Sequence, residues 1–351
     1  MKIGVPMEIK PMEARIALVP AAVGELVQLG HEVFVQSGAG QFSGYSDAEY
    51  QQAGAILAED AAALYGAADL IVKVKEPIEG DLALLQSRHL LFCYLHLAPN
   101  PTLTRRLCDI GLTAVAFETV MENGHLPLLA PMSEIAGHVA VQAGIHYLHR
   151  SMGGKGLLLG GVPGTESGHV VVVGAGVAGR NAARTAAAMG AFVTAFDRSP
   201  QALHAVESLA PNITGVFAYQ DAIAKAMQQA DLVIGAVLIP GAKAPHVITR
   251  QMVRDMPDGG FIADISIDQG GCIETIRATD YRDPVYVEEG VLHMGVTNMP
   301  GAVPRTASQA LSGAILPYVT RLAAGHCQDY PALRDGVNVS AGNIVLPALL
   351  S

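Results

Sequence analysis

The stretch from residue 169 to residue 197, HVVVVGAGVAGRNAARTAAAMGAFVTAFD, constrains the fold more than any other part of this sequence. An apolar strand leads directly into Gly174, Gly176 and Gly179, a helix follows, and a second apolar strand ends at Asp197. In such a unit the first glycine forms the tight turn, the second lets the backbone approach a pyrophosphate, and the third lets helix and strand pack closely. A GxGxxG pattern alone is weak evidence, but here strand, glycines, helix and acid are in register. The stretch therefore predicts a Rossmann-type dinucleotide-binding domain.

The same unit predicts how a nucleotide is bound. The free N–H groups and partial positive charge of the helix N-terminus, at Val177 and Ala178, favour phosphate oxygens. Asp197 is placed to accept hydrogen bonds from ribose hydroxyls and to repel a 2′-phosphate, which favours NAD over NADP. Arg198 beside it is able to pair with such a phosphate, so the sequence leaves NADP use open. The alternative is a glycine-rich turn that binds no ligand.

Strands and helices alternate along most of the chain. Before residue 130, apolar strands such as KIGVP, DLIVKVK and HLLFCYLHL are separated by helical segments, the rhythm of a mostly parallel sheet. A long amphipathic helix and a glycine-rich segment then precede a second βαβ series. We predict an α/β protein of two domains: a Rossmann-type NAD-binding domain over residues 130–304, inserted in a discontinuous α/β substrate domain over 1–129 and 305–351, with a cleft between them.

Composition and charge argue against several classes of protein. Of the 351 residues, 50% are hydrophobic and only 15% are charged, which is typical of an ordered globular protein with a large core. The net charge of −10 argues against a protein that binds nucleic acid through its phosphates. We see no apolar run long enough to span a membrane and no signal-peptide segment at the N-terminus. The 4 cysteines lack CxxC spacing, so we expect no metal site, no disulfide framework and a cytoplasmic location.

Arg15 and Lys75 are candidate substrate-binding residues of the first domain. Arg15 follows the first strand, and is either a solvated surface residue or a bidentate partner for a substrate carboxylate. Lys75 ends the apolar strand in LIVKVKEP, and strand ends border the binding crevice of α/β sheets. The alternative for Lys75 is a solvated sheet edge. Lys73, two residues earlier on the same face, is interpreted as structural or surface-exposed.

His96 and Asp268 are candidate catalytic residues. His96 closes the strand in LLFCYLHLAP, and an imidazole that titrates near neutral pH suits proton transfer to a carbonyl becoming an alcohol or imine. Asp268 lies at the end of a strand of the second domain, where Gly270 and Gly271 let the backbone pass close to a ligand. The alternatives are a satisfied core histidine and an aspartate that caps the next turn. Together with the lysine and arginine, these residues predict a site that faces a nicotinamide across the cleft.

The segments that carry these residues resemble the alanine dehydrogenase family, which also contains the NAD-binding subunit of proton-translocating transhydrogenase. They run in the expected order from residue 1 to about residue 320: GVPMEIKPMEARIALVPAAV, VKVKEP, HLAPN, PLLAPMSEIAG, GGVPG, VVVGAGVAGRNAA, ADLVIGAVLIPGAKAP, ADISIDQGGC and TNMPGAVPRTAS. The resemblance implies reversible oxidative deamination of L-alanine to pyruvate and ammonia with NAD, usually in a homohexamer. Two departures are the PMEAR run before the arginine, where a more polar run is usual, and a C-terminal end that is short for the family.

The resemblance also implies roles for individual residues. Arg15 and Lys75 would bind the carboxylate and carbonyl side of the substrate. His96 would act as general acid/base, and Asp268 would help to activate water or ammonia. Glu118 would support the lysine or the histidine. Besides the glycine loop and Asp197, the residues expected to line NAD are Ser133, Val237, Leu238, Ile267, Asp268, Asn298 and Met299.

Three alternatives remain open on the sequence. The first is the transhydrogenase subunit, which moves hydride between two nicotinamides and works with membrane partners. The second is a dehydrogenase of another small amino acid, or a lyase that keeps NAD as a prosthetic group. The third is an NAD-binding scaffold without catalysis. A dependence of NADH formation on L-alanine distinguishes the main interpretation from all three.

Overall fold

The computed structural model describes residues 1–237 and 244–349. The chain divides into two compact units, which we name the terminal unit, Met1–Met132 with Val303–Ser351, and the central unit, Ser133–Ala302. None of the described helices is long and apolar enough to cross a membrane.

Helices and strands alternate through both units. The described strands are β1 Lys2–Val5, β2 Glu32–Gln36, β3 Ile56–Ala58, β4 Leu70–Val72, β5 Leu90–Cys93, β6 Thr113–Ala116, β7 His169–Val173, β8 Phe192–Asp197, β9 Ile213–Phe217, β10 Leu232–Gly235, β11 Phe261–Asp264, β12 Tyr286–Glu288, β13 Val291–Met294, β14 Val337–Ser340 and β15 Asn343–Ile344. The described α-helices are α1 Pro20–Gln28, α2 Asp47–Gln52, α3 Ala61–Ala67, α4 Glu79–Leu82, α5 Pro101–Ile110, α6 Ala130–Tyr147, α7 Val177–Ala188, α8 Pro200–Glu207, α9 Gln220–Met227, α10 Arg250–Arg254, α11 Pro304–Ala323 and α12 Pro331–Asp335.

The terminal unit is built on one sheet with the strand order β15-β14-β6-β5-β4-β1-β2-β3. Strands β1 to β6 pair in parallel, and β14 and β15 extend the β6 edge in antiparallel pairing. From β1 the chain builds first toward β3 and then, from β4 onward, in the opposite direction. In open α/β sheets, ligands bind outside the carboxyl ends of the strands at the point where the order reverses. The loops that follow β1 and β4 lie at this point.

Local sequence signals explain several of the element boundaries in the terminal unit. Ser46 forms a capping box with Glu49 at the start of α2. Gly54, which follows the end of α2, has φ 92°, a conformation that favours glycine. The interior of the sheet is apolar, and the three residues of β4 are completely buried.

The central unit is built on a second sheet, with the strand order β12-β13-β11-β10-β7-β8-β9. Its parallel strands β7, β8, β9, β10, β11 and β13 have the order of a dinucleotide-binding sheet, and β12 is an antiparallel edge strand. Val173, Gly235 and Asp264, which end β7, β10 and β11, are in register. The Rossmann-type fold predicted from the glycine pattern is confirmed, and the predicted cleft between two domains stays a prediction.

Candidate active site

Arg15 lies in the loop after β1 and is only 3% exposed, so its interpretation as a solvated surface residue is wrong. Its guanidinium forms a buried ion pair with Glu13: Nε lies 2.6 Å from Oε1 and Nη2 lies 2.5 Å from Oε2. Burial opposes the charge of Arg15, but the hydrogen bond and charge of Glu13 outweigh it and raise the pKa of Arg15. Nη1 donates to the thioether of Met132 at 3.2 Å, a weak acceptor. A fixed, permanently charged guanidinium is thus held at the switch point of the sheet, the place where its strand order reverses.

The loop after β4 places two lysines in different environments. The predicted position of Lys75 at a strand end was wrong, because β4 ends at Val72 and the N–H of Val74 donates to Glu8 Oε1 at 2.6 Å. Lys73 is buried, with Nζ 3.3 Å from Glu8 and 3.2 Å from Asp81. Burial lowers the pKa of Lys73, but the two carboxylates outweigh it and raise it overall. Lys73 is therefore structural, as one of its two interpretations had it.

Lys75, by contrast, is half-buried and lies beside acidic groups. Its charge helps to lower the pKa of Glu13, after the larger effects of burial, which raises that pKa, and of Arg15, which lowers it. It acts in the same direction on Glu76, whose pKa is lowered chiefly by the hydrogen bond from Lys10, against burial. The structure therefore brings Lys75 and Arg15 together around one carboxylate, that of Glu13.

His96 lies beyond β5, which ends at Cys93, so its predicted position at a strand end was also wrong. The reason is Glu118, whose carboxylate accepts the N–H of Leu95 at 3.1 Å and that of His96 at 2.6 Å. His96 has φ 48°, an uncommon left-handed conformation for a residue other than glycine. Glu118 was expected to support the lysine or the histidine, and it does hold the backbone of His96 by a hydrogen bond.

Tyr94 lies next to His96 and near the charge of Arg15. The ring of His96 stacks on the ring of Tyr94 with centroids 6.0 Å apart, and Tyr94 donates to the carbonyl of Leu128 at 2.5 Å. Burial raises the pKa of the Tyr94 phenol, although the nearby charge of Arg15 lowers it. The arginine, lysine and histidine candidates of the terminal unit therefore share one polar neighbourhood. It lies past the carboxyl ends of β1, β4 and β5.

In the central unit, the glycine loop has the shape that its sequence predicts. Gly174 has φ 98°, and an added Cβ would lie 2.4 Å from the carbonyl oxygen of Ala236. A Cβ on Gly179 would lie 1.7 Å from the carbonyl oxygen of Gly174, so helix α7 and strand β7 require glycine here. A Cβ on Gly176, the N-cap of α7, would meet no described atom within 4 Å. The open backbone at Gly176 and the first-turn N–H groups of Val177 and Ala178 fit a dinucleotide pyrophosphate.

Asp197 ends β8 beside this loop. Its carboxylate accepts the N–H of Ala175 at 2.7 Å and that of Ser199 at 2.8 Å, while Arg198 is exposed. A carboxylate has about four lone-pair positions, so two bonds to the backbone leave capacity for ribose hydroxyls. The two backbone bonds fix its orientation toward the glycine loop.

The other candidates of the central unit lie past the carboxyl ends of neighbouring strands. Val237 follows β10 and is half-buried, and Leu238 lies outside the described residues. After β13, Asn298 has φ 64°, and the carbonyl of Met299 accepts the hydroxyl of Tyr281 at 2.6 Å. These positions share one edge of the sheet with the glycine loop.

Ser133 is half-buried in the first turn of α6. One turn later, an added Cβ at Gly137 would lie 2.3 Å from the carbonyl oxygen of Ala178. Helix α6 therefore passes close to the start of α7, where the glycine loop ends.

Asp268 is exposed on a 3₁₀ helix, Ile265–Gln269, that follows β11, and its predicted position at a strand end was wrong. Ile267, half-buried, lies on the same helix. The strand stops at Asp264, whose carboxylate accepts the N–H of Ser266 at 2.8 Å and that of Cys272 at 2.7 Å. Burial of Asp264 raises the pKa of its carboxyl to about 6.

Three carboxylates with structural roles, Glu8, Glu13 and Asp264, were not predicted from sequence in these roles, and a fourth, Glu118, was expected only to support the lysine or the histidine. Glu13 pairs with Arg15, and Glu8, Glu118 and Asp264 accept backbone N–H groups next to the candidate lysine, histidine and aspartate. Glu13 is the one with a local signal, since it lies two residues before the arginine it pairs with. The partners of Glu8 and Glu118 are distant in sequence, whereas Asp264 binds N–H groups of the loop that follows it.

Comparison with known proteins identifies the family. The family model described as Alanine dehydrogenase/PNT, N-terminal domain, matches residues 4–136, and that described as Alanine dehydrogenase/PNT, C-terminal domain, matches residues 140–347. The chain belongs to the alanine dehydrogenase/PNT family. The resemblance inferred from the sequence is confirmed.

Individual relatives match nearly the full length of the chain. An alanine dehydrogenase from Halomonas elongata is 48% identical, covering 99% of this chain and 96% of the relative. A solved structure of L-alanine dehydrogenase has a TM-score of 0.96 and 45% identity, covering 99% of this chain and 98% of that chain. The crystal structure of transhydrogenase from Sinorhizobium meliloti has a TM-score of 0.86 and 28% identity, covering 99% of this chain and all of that chain. The family fold is therefore shared by both branches, and sequence identity is higher with the alanine dehydrogenases.

Proposed function

We propose that this chain catalyses the reversible NAD-dependent oxidative deamination of L-alanine to pyruvate and ammonia. The observation that carries the proposal is the buried arginine and adjacent lysine at the switch point of the terminal sheet, since a small amino acid offers a carboxylate to such a pair. Relatives at 44% identity or more that are alanine dehydrogenases support it. In this proposal, residues 1–129 and 305–351 form the substrate domain, and residues 130–304 form the NAD-binding domain.

Arg15 and Lys75 hold the substrate in this proposal. Glu13 occupies the Nε–Nη2 edge of the guanidinium, so the substrate carboxylate approaches on the Nη1 side and replaces the weak thioether acceptor. Lys75 binds the carbonyl side of pyruvate. Fixing Cα in one orientation contributes up to roughly 7–11 kcal/mol to lowering the barrier.

His96 and Asp268 move protons in this proposal. Oxidation at Cα leaves an iminium that water attacks, and His96 acts as general acid/base on the oxygen of the resulting carbinolamine. Asp268 activates the attacking water or, in the reverse direction, ammonia. Proton transfer of this kind contributes about 10²–10⁴-fold to the rate. Glu118 fixes the backbone from which the imidazole extends.

The central unit binds NAD, which supplies the hydride acceptor when bound. The glycine loop and the first turn of α7 bind the pyrophosphate, and Asp197 binds the adenosine ribose. The other proposed lining residues are Ser133, Arg198, Val237, Leu238, Ile267, Asp268, Asn298 and Met299. We also propose a homohexamer in the cytoplasm, as the family resemblance implies.

Absorbance at 340 nm tests the proposal. Purified protein with NAD is expected to form NADH when L-alanine is added, and to consume NADH when pyruvate and ammonium are added together. Activity with other small amino acids but not with L-alanine would assign a different substrate. Absence of any amino-acid-dependent NADH formation, with hydride exchange between NADH and a nicotinamide analogue, would favour the transhydrogenase subunit.

A further inference from the structure

The loop that carries Asp268 is closed at its base by one buried carboxylate. Asp264 is 0% exposed. Its Oδ1 accepts the N–H of Ser266 at 2.8 Å, and its Oδ2 accepts those of Cys272 at 2.7 Å and Ile273 at 3.2 Å. The first bond is at the start of the loop and the other two are at its end. A single side chain therefore joins the two ends of the segment 265–271.

The remainder of this loop is held by bonds between its own backbone groups. The N–H groups of Gly270 and Gly271 bond to Ile267 and Ser266 across the loop, both at 3.0 Å. Asp268 projects from the 3₁₀ helix between these bonds. Hydrogen bonds to a charged acceptor are stronger than neutral ones, so the closure by Asp264 outweighs the neutral bonds within the loop.

Neighbouring backbone leaves little space for Asp264 to change its position. An added Cβ at Gly235 would lie 3.2 Å from its Oδ1, and one at Gly271 would lie 3.0 Å from its Oδ2. The Sγ of Cys272 lies 3.7 Å from Oδ1. Both oxygens of the carboxyl group accept backbone N–H groups, as an ionised carboxylate does, although burial raises its pKa to about 6.

We propose that Asp264 is a positioning residue of the active site, which acts by holding the 265–271 loop so that Asp268 is presented in one orientation. This inference rests on the proposed function, because it assigns the catalytic consequence of Asp264 to Asp268. Asp264 itself contacts backbone N–H groups and the Cys272 thiol, and does not touch the substrate.

A double-mutant cycle tests this inference. Asp264→Asn replaces one acceptor oxygen by an amide donor, and we expect kcat for L-alanine oxidation to fall at least about tenfold. In the Asp268→Asn background, the same substitution is expected to change kcat by less than about twofold, since the positioned group is already removed. An equal loss in both backgrounds, or an Asp264→Asn kcat within twofold of the unmodified enzyme, would overturn the inference.

Asp231→Asn is the matched control. Asp231 is also a buried aspartate of the central sheet, and it accepts the N–H of His169 at 2.7 Å, but it precedes β10 at the opposite end of the strands. The Asp231→Asn substitution is expected to lower the melting temperature and to leave kcat unchanged. If Asp264→Asn does not fold, Gly271→Ala takes its place in the cycle: its Cβ would lie 2.4 Å from Cγ2 of Ile276 and 3.0 Å from Oδ2 of Asp264, on a residue with φ 76°, so it disturbs the end of the loop beside the carboxylate and leaves the charge intact.

Amide hydrogen exchange separates failure of this inference from failure of the proposed function. Exchange in residues 265–273 is expected to accelerate at least about tenfold in Asp264→Asn, with exchange in β7 unchanged. This readout does not require turnover. If the unmodified protein does not oxidise L-alanine, the proposed function fails, and unchanged exchange in 265–273 would then overturn the positioning role as well.

Discussion

Lys73 and Lys75 are two residues apart, and the structure predicts opposite consequences for their substitution. Lys73 has no exposed side-chain surface and pairs with Glu8 and Asp81, whose side chains are 3% and 5% exposed. Lys73→Met keeps the apolar stem and leaves two buried carboxylates without their cation. Removing one partner from a buried ion pair costs about 3–5 kcal/mol. For a unit of this size, that corresponds to a fall in melting temperature of roughly 6–20 °C.

Lys75→Met is expected to have the reverse effect. Its side chain is half-buried and does not belong to the buried ion pairs of Lys73 with Glu8 and Asp81. The free energy of unfolding is therefore expected to change by about 1 kcal/mol or less, with little change in melting temperature. Turnover of L-alanine is expected to be abolished, while NADH still binds. Thermal unfolding at one fixed protein concentration and initial rates at 340 nm measure the two effects separately.

A compensated variant distinguishes lost charge pairing from lost packing. Lys73→Met combined with Glu8→Gln and Asp81→Asn removes all three charges, and it is expected to recover most of the lost stability. Glu8→Gln retains an oxygen acceptor for the N–H of Val74. A Lys73→Met protein with an unchanged melting temperature would refute the buried ion pair. Full turnover by Lys75→Met would refute its role in substrate binding.

Three further predictions concern the other candidates. Glu118→Ala removes the acceptor that holds the backbone of His96, and it is expected to lower kcat about 10–100-fold while the affinity for NADH is kept. His96→Ala is expected to abolish oxidation. A Glu118→Ala enzyme with the kcat of the unmodified enzyme would contradict this role. Gly176→Ala is expected to fold and lose NADH affinity, while Gly179→Ala is expected to lose stability, because only the latter Cβ meets backbone; calorimetry and thermal unfolding check the pair. Because Asp197 repels a 2′-phosphate, the enzyme is expected to have a much higher kcat/KM with NAD than with NADP. Comparable values would refute the role of Asp197 in selecting NAD.

The fold was predictable because its signals are local. The glycine pattern, the strand before it and the aspartate after it lie within 30 residues, and together they predict a βαβ unit. In the central sheet the two strands of this unit, β7 and β8, are neighbours. The same holds for Ser46 and Glu49, which cap α2 from positions three residues apart. Periodicity and capping are properties of a short segment, so a single sequence reveals them.

The environments of the candidate residues were less predictable because they depend on contacts between distant segments. Glu8 binds the N–H of Val74 from 66 positions away. The N–H of Ile16, next to Arg15, donates to the hydroxyl of Ser308 on α11, which is 292 positions away. Residues of this kind look like ordinary polar residues until the chain is folded. The sequence therefore suggests candidate side chains for the chemistry, but it does not reveal the contacts that hold them.

Just past each of the three misplaced strand ends, a carboxylate accepts a backbone N–H group. In a β-strand, successive N–H groups point to opposite sides, so one acceptor cannot bind two in a row. Glu118 accepts two consecutive N–H groups just past β5, those of Leu95 and His96, whereas just past β11 Asp264 accepts one, that of Ser266. Convergence of neighbouring N–H groups on one carboxylate requires the chain to leave the extended conformation, and His96 does so with φ 48°. At the lysine loop a single N–H, that of Val74, is taken from the ladder by Glu8. A carboxylate that accepts N–H groups just past a strand thus fixes the backbone beside each candidate residue, and a side chain on a fixed backbone is held more precisely.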